Sequence, residues 1–445
     1  MSHSQELSAV GRVLMLGFGT TGRAVCEFAI RHSFSIHVSE RERLSEEQLA
    51  WLENHNIPFE HSGHTARFLS EVDIVVLSPG IPLRLPILTT VREKGLPIVS
   101  ETDFSVRLLE SCTVVAVTGT NGKSSTVEVI ARILQSLGRR AWVTGNIGIP
   151  LISIVDDVLE SDIVVLEISS YQLEQSRRFR PQIGVLLNLT PDHIHRHGTM
   201  QAYANAKGRL FVNQESNDVA ILPSTLASQF EQGCGRRVYY DETYERLPDS
   251  MDRLLPHERS NLRAALAACD ALVPDFDVSD VSSEAVLAAF RLPHRMETLG
   301  CVRGVRVVND SKSTNAGSAI AALRSIDSPV VLLLGGRSKG AGYESLIDEV
   351  AAFDSLREVV LFGEAAAMLR SLFARVPGVV LAPPSIRTMQ DAVARGILAA
   401  QHGDVLLFSP ACSSFDAFAD FAERGEAFAG VIRSLPGFES GPART

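Results

Sequence analysis

Short apolar runs, most of them ending in Gly, Ser, Asp or Asn, recur along this chain in three successive sets. The first set, between about 11 and 100, contains R-V-L-M-L-G-F-G, F-S-I-H-V-S-E, V-D-I-V-V-L-S-P-G and P-I-V-S-E. The second contains T-V-V-A-V-T-G-T-N-G-K, A-W-V-T-G-N-I-G, D-I-V-V-L-E-I-S-S and I-G-V-L-L-N-L-T, and closes on the helical N-L-R-A-A-L-A-A-C-D-A-L. The third contains V-R-V-V-N-D, P-V-V-L-L-L-G-G, E-V-V-L-F-G, G-V-V-L-A and D-V-L-L-F-S-P. Apolar runs alternating with helix-like stretches describe βα units and parallel sheets. Runs apolar nearly throughout belong to strands buried on both faces. At 445 residues the chain exceeds what one core supports. The expected fold is therefore α/β with three domains, 1–100, 101–292 and 293–445. In open α/β sheets ligands gather at the carboxyl ends of strands, so the polar residues after each run are the ones to read.

The strongest of these is V-A-V-T-G-T-N-G-K-S-S-T, 115–126. A strand enters a Gly-rich turn and then a helix, which marks the central domain as P-loop ATPase-like. Backbone N–H groups of Gly119, Thr120, Asn121 and Gly122 cradle phosphates, Lys123 reaches the terminal ones, and Ser124 offers a hydroxyl to Mg²⁺, with Ser125 next to it. The loop is a short variant, with Val117 where the common form has its first Gly. Glu167, set in the strand D-I-V-V-L-E, is costly there unless paired or bound to metal. Beside a nucleotide loop, a Mg²⁺ ligand is the better account.

G-F-G-T-T-G, 17–22, follows the first strand, and Glu40 ends the next, so the N-terminal domain is Rossmann-like, and the loop binds a dinucleotide, holds a uridine nucleotide or serves packing alone. N-L-T-P-D-H-I-H-R-H-G carries one Asp and three His without a zinc spacing, and Lys207 alone would belong to a solvated helix face. The run V-V-N-D-S-K-S-T-N, 307–315, has a carboxylate, an ammonium, hydroxyls and amides but neither Gly nor Pro, unlike an ordinary turn. The third set makes the C-terminal domain Rossmann-like as well.

The net charge of −10 argues against non-specific nucleic-acid binding or an anionic membrane surface. Six scattered cysteines form no disulfide framework, and no apolar run approaches the roughly 20 residues a membrane helix needs. The start M-S-H-S-Q-E-L-S is not of signal-peptide form. A cytoplasmic protein is expected.

Taken in order, T-G-T-N-G-K-S, G-N-I-G, L-E-I-S-S-Y-Q-L-E, N-L-T-P-D-H, the Lys of A-K, L-P-H-R, N-D-S-K-S-T-N and S-P-A-C-S-S-F-D resemble the Mur ligases over essentially the whole chain. These are ATP-dependent amino-acid ligases of peptidoglycan precursor synthesis, and D-S-K-S-T-N resembles their D-glutamate-adding branch. The resemblance implies the substrates UDP-N-acetylmuramoyl-L-alanine and D-glutamate, with ATP, two Mg²⁺ ions and a monomeric protein. It implies that Lys123 and Ser124 serve ATP and Mg²⁺, that Glu167 and His193 ligate Mg²⁺, and that Lys207 is carbamylated and orients the second ion. Asn261, Arg295 and Asp310 match nucleotide positions. Thr20, Thr21, Ser39, Glu40, Arg41, Gly80 and Asn146 match the UDP-substrate site. Lys312, Thr314, Lys339, Ser414 and Phe421 would enclose D-glutamate, and Arg424 matches a further family Arg.

Two residues depart from the family pattern: His195 stands where Asp is usual, and Glu258 where Asn is usual. The implied reaction activates the L-alanine carboxylate as an acyl phosphate before the D-glutamate amine attacks, with three domains closing to exclude water. The rivals are a folylpolyglutamate synthase, opposed by the N-terminal domain and D-S-K-S-T-N, a nicotinamide-dependent dehydrogenase, which leaves the P-loop unexplained, and a non-catalytic nucleotide-binding protein.

Overall fold

Strand β1, Val13–Leu16, is buried at every residue and sits at the centre of the first sheet, as its unbroken V-L-M-L demands. A computed structural model describes residues 11–109, 112–244, 247, 251, 254–340 and 342–441; the side chain of His195 lies outside the described part. The remaining strands of this sheet are β2 (Ile36–Ser39), β3 (Phe59–Glu60), β4 (Ile74–Leu77) and β5 (Ile98–Ser100). Their order is β3-β2-β1-β4-β5, all parallel. The order reverses at β1, and the helix Thr20–Arg31 leaves from its carboxyl end.

The second sheet holds β6 (Thr113–Thr118), β7 (Ala141–Gly145), β8 (Ile163–Glu167), β9 (Ile183–Leu186), β10 (Val219–Leu222) and β11 (Arg236–Tyr239). It too is parallel, in the order β11-β10-β9-β6-β8-β7. Here β6 is the switch point, flanked by β8 and β9.

The third sheet adds an antiparallel edge to the Rossmann-like parallel core expected of the C-terminal domain. It comprises β12 (Glu297–Val302), β13 (Val305–Asn309), β14 (Val330–Gly335), β15 (Leu356–Phe362), β16 (Val405–Ala411) and β17 (Phe438–Ser440). Strands β13 to β16 pair in parallel, but β12 is antiparallel to both β13 and β17, so the sheet is mixed. A two-residue turn makes the hairpin: Arg303 and Gly304 have φ of 53° and 77°, the left-handed pair a tight hairpin requires. One correction concerns G-V-V-L-A, expected as a strand. It contributes a single bridge, Leu381 to Val359, because Val380 faces solvent and Pro383 and Pro384 lack the N–H groups to extend pairing.

Alternation along β14 divides the core of this sheet in two. Val330, Leu332 and Leu334 pack on one face with Ala319, Leu323, Leu346 and Leu369. Val331 and Leu333 pack on the other with Val393, Phe408 and Phe428. Each such side chain removed from water is worth about 1.5–3 kcal/mol.

The chain forms two compact units. One contains residues 1–188, 204–252 and 260–286, and so both parallel sheets. The other contains 189–203, 253–259 and 287–445, and so the mixed sheet. Within the first unit the two sheets are stitched together. Arg31 and His32 meet Asp156 at 3.0 and 2.7 Å, and Gln175 Nε2 donates to the Ile81 carbonyl at 2.7 Å.

Candidate functional site

Six of the seven candidate UDP-substrate residues collect beyond the carboxyl ends of β1, β2 and β4, around the reversal in strand order. Gly17 turns the chain there with φ of 94°, and a Cβ on it would lie 2.8 Å from Ser78 Cβ. Thr20 and Thr21 open the helix that follows. Ser39 is buried and donates from Oγ to Glu60 Oε1 at 2.7 Å. Because a carboxylate only accepts, the Ser39 hydrogen points at Glu60, and His64 Nδ1, at 2.8 Å, is the donor to Ser39 Oγ. Burial holds the His64 imidazole below its usual pKa, so it is neutral. Glu40 accepts the Phe18 N–H at 2.6 Å and the Glu42 N–H at 3.0 Å, while Arg41 pairs with Glu42 and a Cβ added to Gly80 would meet nothing within 4 Å. The seventh residue, Asn146, belongs to the second sheet: its Nδ2 donates to Glu167 Oε1 at 2.9 Å.

At the end of β6 the Gly119–Gly122 loop runs into the helix Lys123–Ser136. Gly122 caps that helix with φ of 87° and offers no side-chain cap of its own, and the first turn, Lys123 to Thr126, holds no acid. The positive end of the helix dipole is thus kept for an anion. Asn261 packs directly on the loop; a Cβ at Gly122 would fall 2.4 Å from its Oδ1. Lys123 Nζ donates to the carbonyls of Gly119 and Thr120, both at 2.9 Å. Ser124 and Ser125 are buried.

Lys207 is not on a solvated face. It is 1% exposed, and its Nζ donates to the Gly119 carbonyl at 2.8 Å. Glu167 ends β8 in register with Val117 of β6, and is 3% exposed. Its Oε2 is buried and has no hydrogen-bond partner among the described residues. Sequence reasoning missed Asn188, whose Oδ1 accepts the Asn121 N–H at 2.9 Å and whose Nδ2 donates to the Asn121 carbonyl at 3.0 Å. Its position at the end of the I-G-V-L-L-N run was the available signal.

The second unit gathers the candidate amino-acid residues at the carboxyl ends of β13, β14 and β16. Lys312 Nζ lies 4.5 Å from the centre of the Phe421 ring, a cation–π contact. Lys339 Nζ meets Thr314 Oγ1 at 3.5 Å. Ser414 is buried just past β16. Arg295 lies half-buried in the turn before β12, and His193, with φ of 53°, takes its N–H to Asp192 Oδ1 at 2.8 Å. Asp310 turns inward: its carboxylate accepts from Ser313, from Ser409 at 2.8 Å and from the Met296 N–H at 3.2 Å, and burial raises its pKa to about 6. Arg424, 1% exposed, donates to the Ser311 carbonyl at 2.7 Å and the Cys412 carbonyl at 2.9 Å, so it braces the loop between Asp310 and Lys312. The Cys412 thiol is fully buried and pushed up to about 11. Glu258, the departure from Asn, accepts the Leu255 N–H at 2.9 Å and so caps the helix Pro256–Leu272. A cavity of about 530 Å³ in this unit, bounded by Pro191, His257, Ile320 and Arg324, contains none of the candidate residues.

Three family models match the chain. They are the MurD N-terminal domain over residues 12–84, the Mur ligase middle domain over 117–237, and the Mur ligase glutamate ligase domain over 294–412. A UDP-N-acetylmuramoylalanine–D-glutamate ligase of Natranaerobius thermophilus is 33% identical, covering 96% of this chain and 99% of its own length. The ligase of the same name from Pelotomaculum thermopropionicum is 35% identical over 95% and 98%. Among solved structures, a MurF ligase from Thermotoga maritima in complex with ADP aligns with a TM-score of 0.56 at 16% identity, over 96% of this chain and 95% of that one. The UDP-N-acetylmuramate-alanine ligase MurC of the same organism gives 0.55 at 17% identity, over 95% and 99%. At such identities these two structures speak for the fold alone.

Proposed function

The chain belongs to the Mur ligase family, and from that membership we propose that it joins D-glutamate to UDP-N-acetylmuramoyl-L-alanine at the expense of ATP, in peptidoglycan precursor synthesis. The observation that carries the choice of amino acid is the grouping of Lys312, Thr314, Lys339 and Phe421 at one end of the third sheet. Two ammonium groups and a hydroxyl suit the two carboxylates of an acidic amino acid.

Making an amide from a carboxylate in water is uphill. In the reaction we propose, the γ-phosphoryl group of ATP passes to the L-alanine carboxylate, giving an acyl phosphate and ADP. The D-glutamate amine, once deprotonated, attacks the acyl carbon, and the tetrahedral adduct expels phosphate. The first step brings two anions together, so its catalysis is mostly positioning and charge neutralisation. The open helix end behind Gly122 and the Lys123 ammonium supply positive charge toward the phosphates.

Ser124 and Glu167 fit a Mg²⁺ ion. A buried carboxylate oxygen with no donor among the described residues, as Glu167 Oε2 is, is the kind of group a cation satisfies. Mg²⁺ takes few protein ligands beside phosphate and water. When bound, Mg²⁺ neutralises phosphate charge. We assign Lys207 as a carbamylated lysine and His193 as a ligand of a second ion. A buried amine held at a loop carbonyl, as Lys207 is, supports the first of these. Arg295 and Asp310 are proposed on the nucleotide side, and the division into three domains near residues 100 and 292 is kept. No helix among the described residues is long and apolar enough to cross a membrane. A cytoplasmic location and a monomeric state are proposed from the family membership.

A nicotinamide dehydrogenase is disfavoured by the family membership, and it leaves the Gly119–Gly122 loop at the start of the helix Lys123–Ser136 unexplained. The deciding assay is phosphate release from ATP with a panel of amino acids. Release that requires both the UDP-sugar and D-glutamate is expected; release without either, or with another amino acid in preference, overturns the proposal.

A further inference from the structure

We propose that Asp192 is the positioning residue for Lys339, and through it for the acidic end of the amino-acid substrate; this rests on the reading of Lys339 as a D-glutamate contact. Asp192 comes from N-L-T-P-D-H, where the neighbouring His193 has been given a role and the Asp none. Its side chain is 5% exposed. Oδ1 accepts the His193 N–H at 2.8 Å and lies 3.4 Å from Lys339 Nζ. Oδ2 accepts from Asn315 Nδ2 at 3.2 Å and lies 3.6 Å from His193 Nε2. Asn315 is itself fixed, because its Oδ1 takes the Ser318 N–H at 2.9 Å and caps the helix Ala316–Arg324.

One buried carboxylate therefore ties Lys339, from the loop after β14, to Asn315, from the loop after β13. Lys339 reaches Thr314 from the same position. A lysine side chain loses about 1.5–2 kcal/mol of rotamer entropy when it is fixed. Asp192 makes that loss part of folding, so the ammonium already stands beside Thr314 before any ligand arrives. The charge matters as much as the geometry. Lys339 is 16% exposed, and without Asp192 a largely desolvated ammonium would lose its ion-pair partner and swing toward water.

Asp192→Asn tests this. The amide keeps the size of the side chain and an oxygen for the His193 N–H; it removes the charge and turns the oxygen that accepts from Asn315 into a donor. The D-glutamate KM should rise about tenfold, with the KM values for ATP and the UDP-sugar within about twofold of wild type and kcat changed less than KM. D192E, which keeps the charge but moves it by one methylene, should recover part of the loss, and it carries the test if D192N does not fold. Lys339→Met should raise the D-glutamate KM at least as much, and adding D192N to it should cost less than D192N does alone, because the contact the two share is already gone. Equal rises in all three KM values, no change in any, or additive effects of D192N and K339M overturn the proposal. A wild-type protein that consumes ATP without dependence on D-glutamate overturns the ligase reading itself, and this proposal with it.

Discussion

Lys207 donates its ammonium to the carbonyl of Gly119, at 2.8 Å, from a side chain that is all but sealed from solvent. A buried lysine on a phosphate loop is either a fixed cation or, once it reacts with carbon dioxide, a fixed anion. Lys207→Ala separates the two. We expect activity to fall by about 100-fold, the upper range for losing a group that orients a metal ligand, and to return in part with added short-chain carboxylic acids. A protein fully active without them, or one that no acid rescues, returns Lys207 to a structural role.

Gly122 is confined twice over, by its φ of 87° and by Asn261 Oδ1 at 2.4 Å from any Cβ it could carry. Gly122→Ala must push Asn261 off the loop or bend the helix start. Strain of this kind costs on the order of 1–3 kcal/mol, so ATP should bind about tenfold or more weakly by calorimetric titration. The D-glutamate KM, set by another part of the chain, should move far less.

Lys312 is held over the Phe421 ring at 4.5 Å, on the second unit. Lys312→Ala should weaken the use of D-glutamate by about tenfold or more, the scale of a charge-assisted contact, while leaving ATP affinity within about twofold. Steady-state kinetics with each substrate varied in turn will show whether the loss is selective. Equal losses would make this lysine a support of the fold.

Asp310 has a sign that can be checked. Burial raises its pKa from 3.8 to about 6, so the folded state prefers the protonated acid. Its contribution to stability is complete below the unfolded value of 3.8 and is lost as pH rises through about 6. Wild type should therefore lose ground to Asp310→Asn between about pH 4 and 7 when urea midpoints are compared. A constant gap across that window would show that Asp310 ionises normally.

Much of the architecture was legible because strands buried on both faces leave little room for polar residues. The runs containing Val13–Leu16, Thr113–Thr118 and Val330–Gly335 announce themselves, and so does the Gly-rich turn after the second. The hairpin was not legible: β12 reads E-T-L-G-C-V, whose Gly breaks the pattern, and its direction is set by a turn of only Arg303 and Gly304. G-V-V-L-A misled for the opposite reason, since apolar content alone does not supply a pairing edge. Lys207 was hidden by its type. Tyr203, Lys207, Leu210 and Phe211 form one buried stripe at helical spacing, but a charged residue in such a stripe is ordinarily assigned to the outside. Asp192 and Asn188 were passed over because their work is to hold other residues, which a sequence does not display.

The buried thiol of Cys412 bears on chemical probes. It lies in the S-P-A-C-S-S loop beside the candidate glutamate contacts, where a designer of covalent inhibitors would first look for a handle. With a pKa pushed up to about 11 and no exposed surface, it is a neutral thiol at physiological pH and a poor nucleophile toward an electrophilic warhead. Cys234, the exposed free thiol, is the one such reagents will label first. Modification without inhibition is the signature that pattern would leave, and a useful inhibitor of this site will have to bind reversibly, through charge and shape.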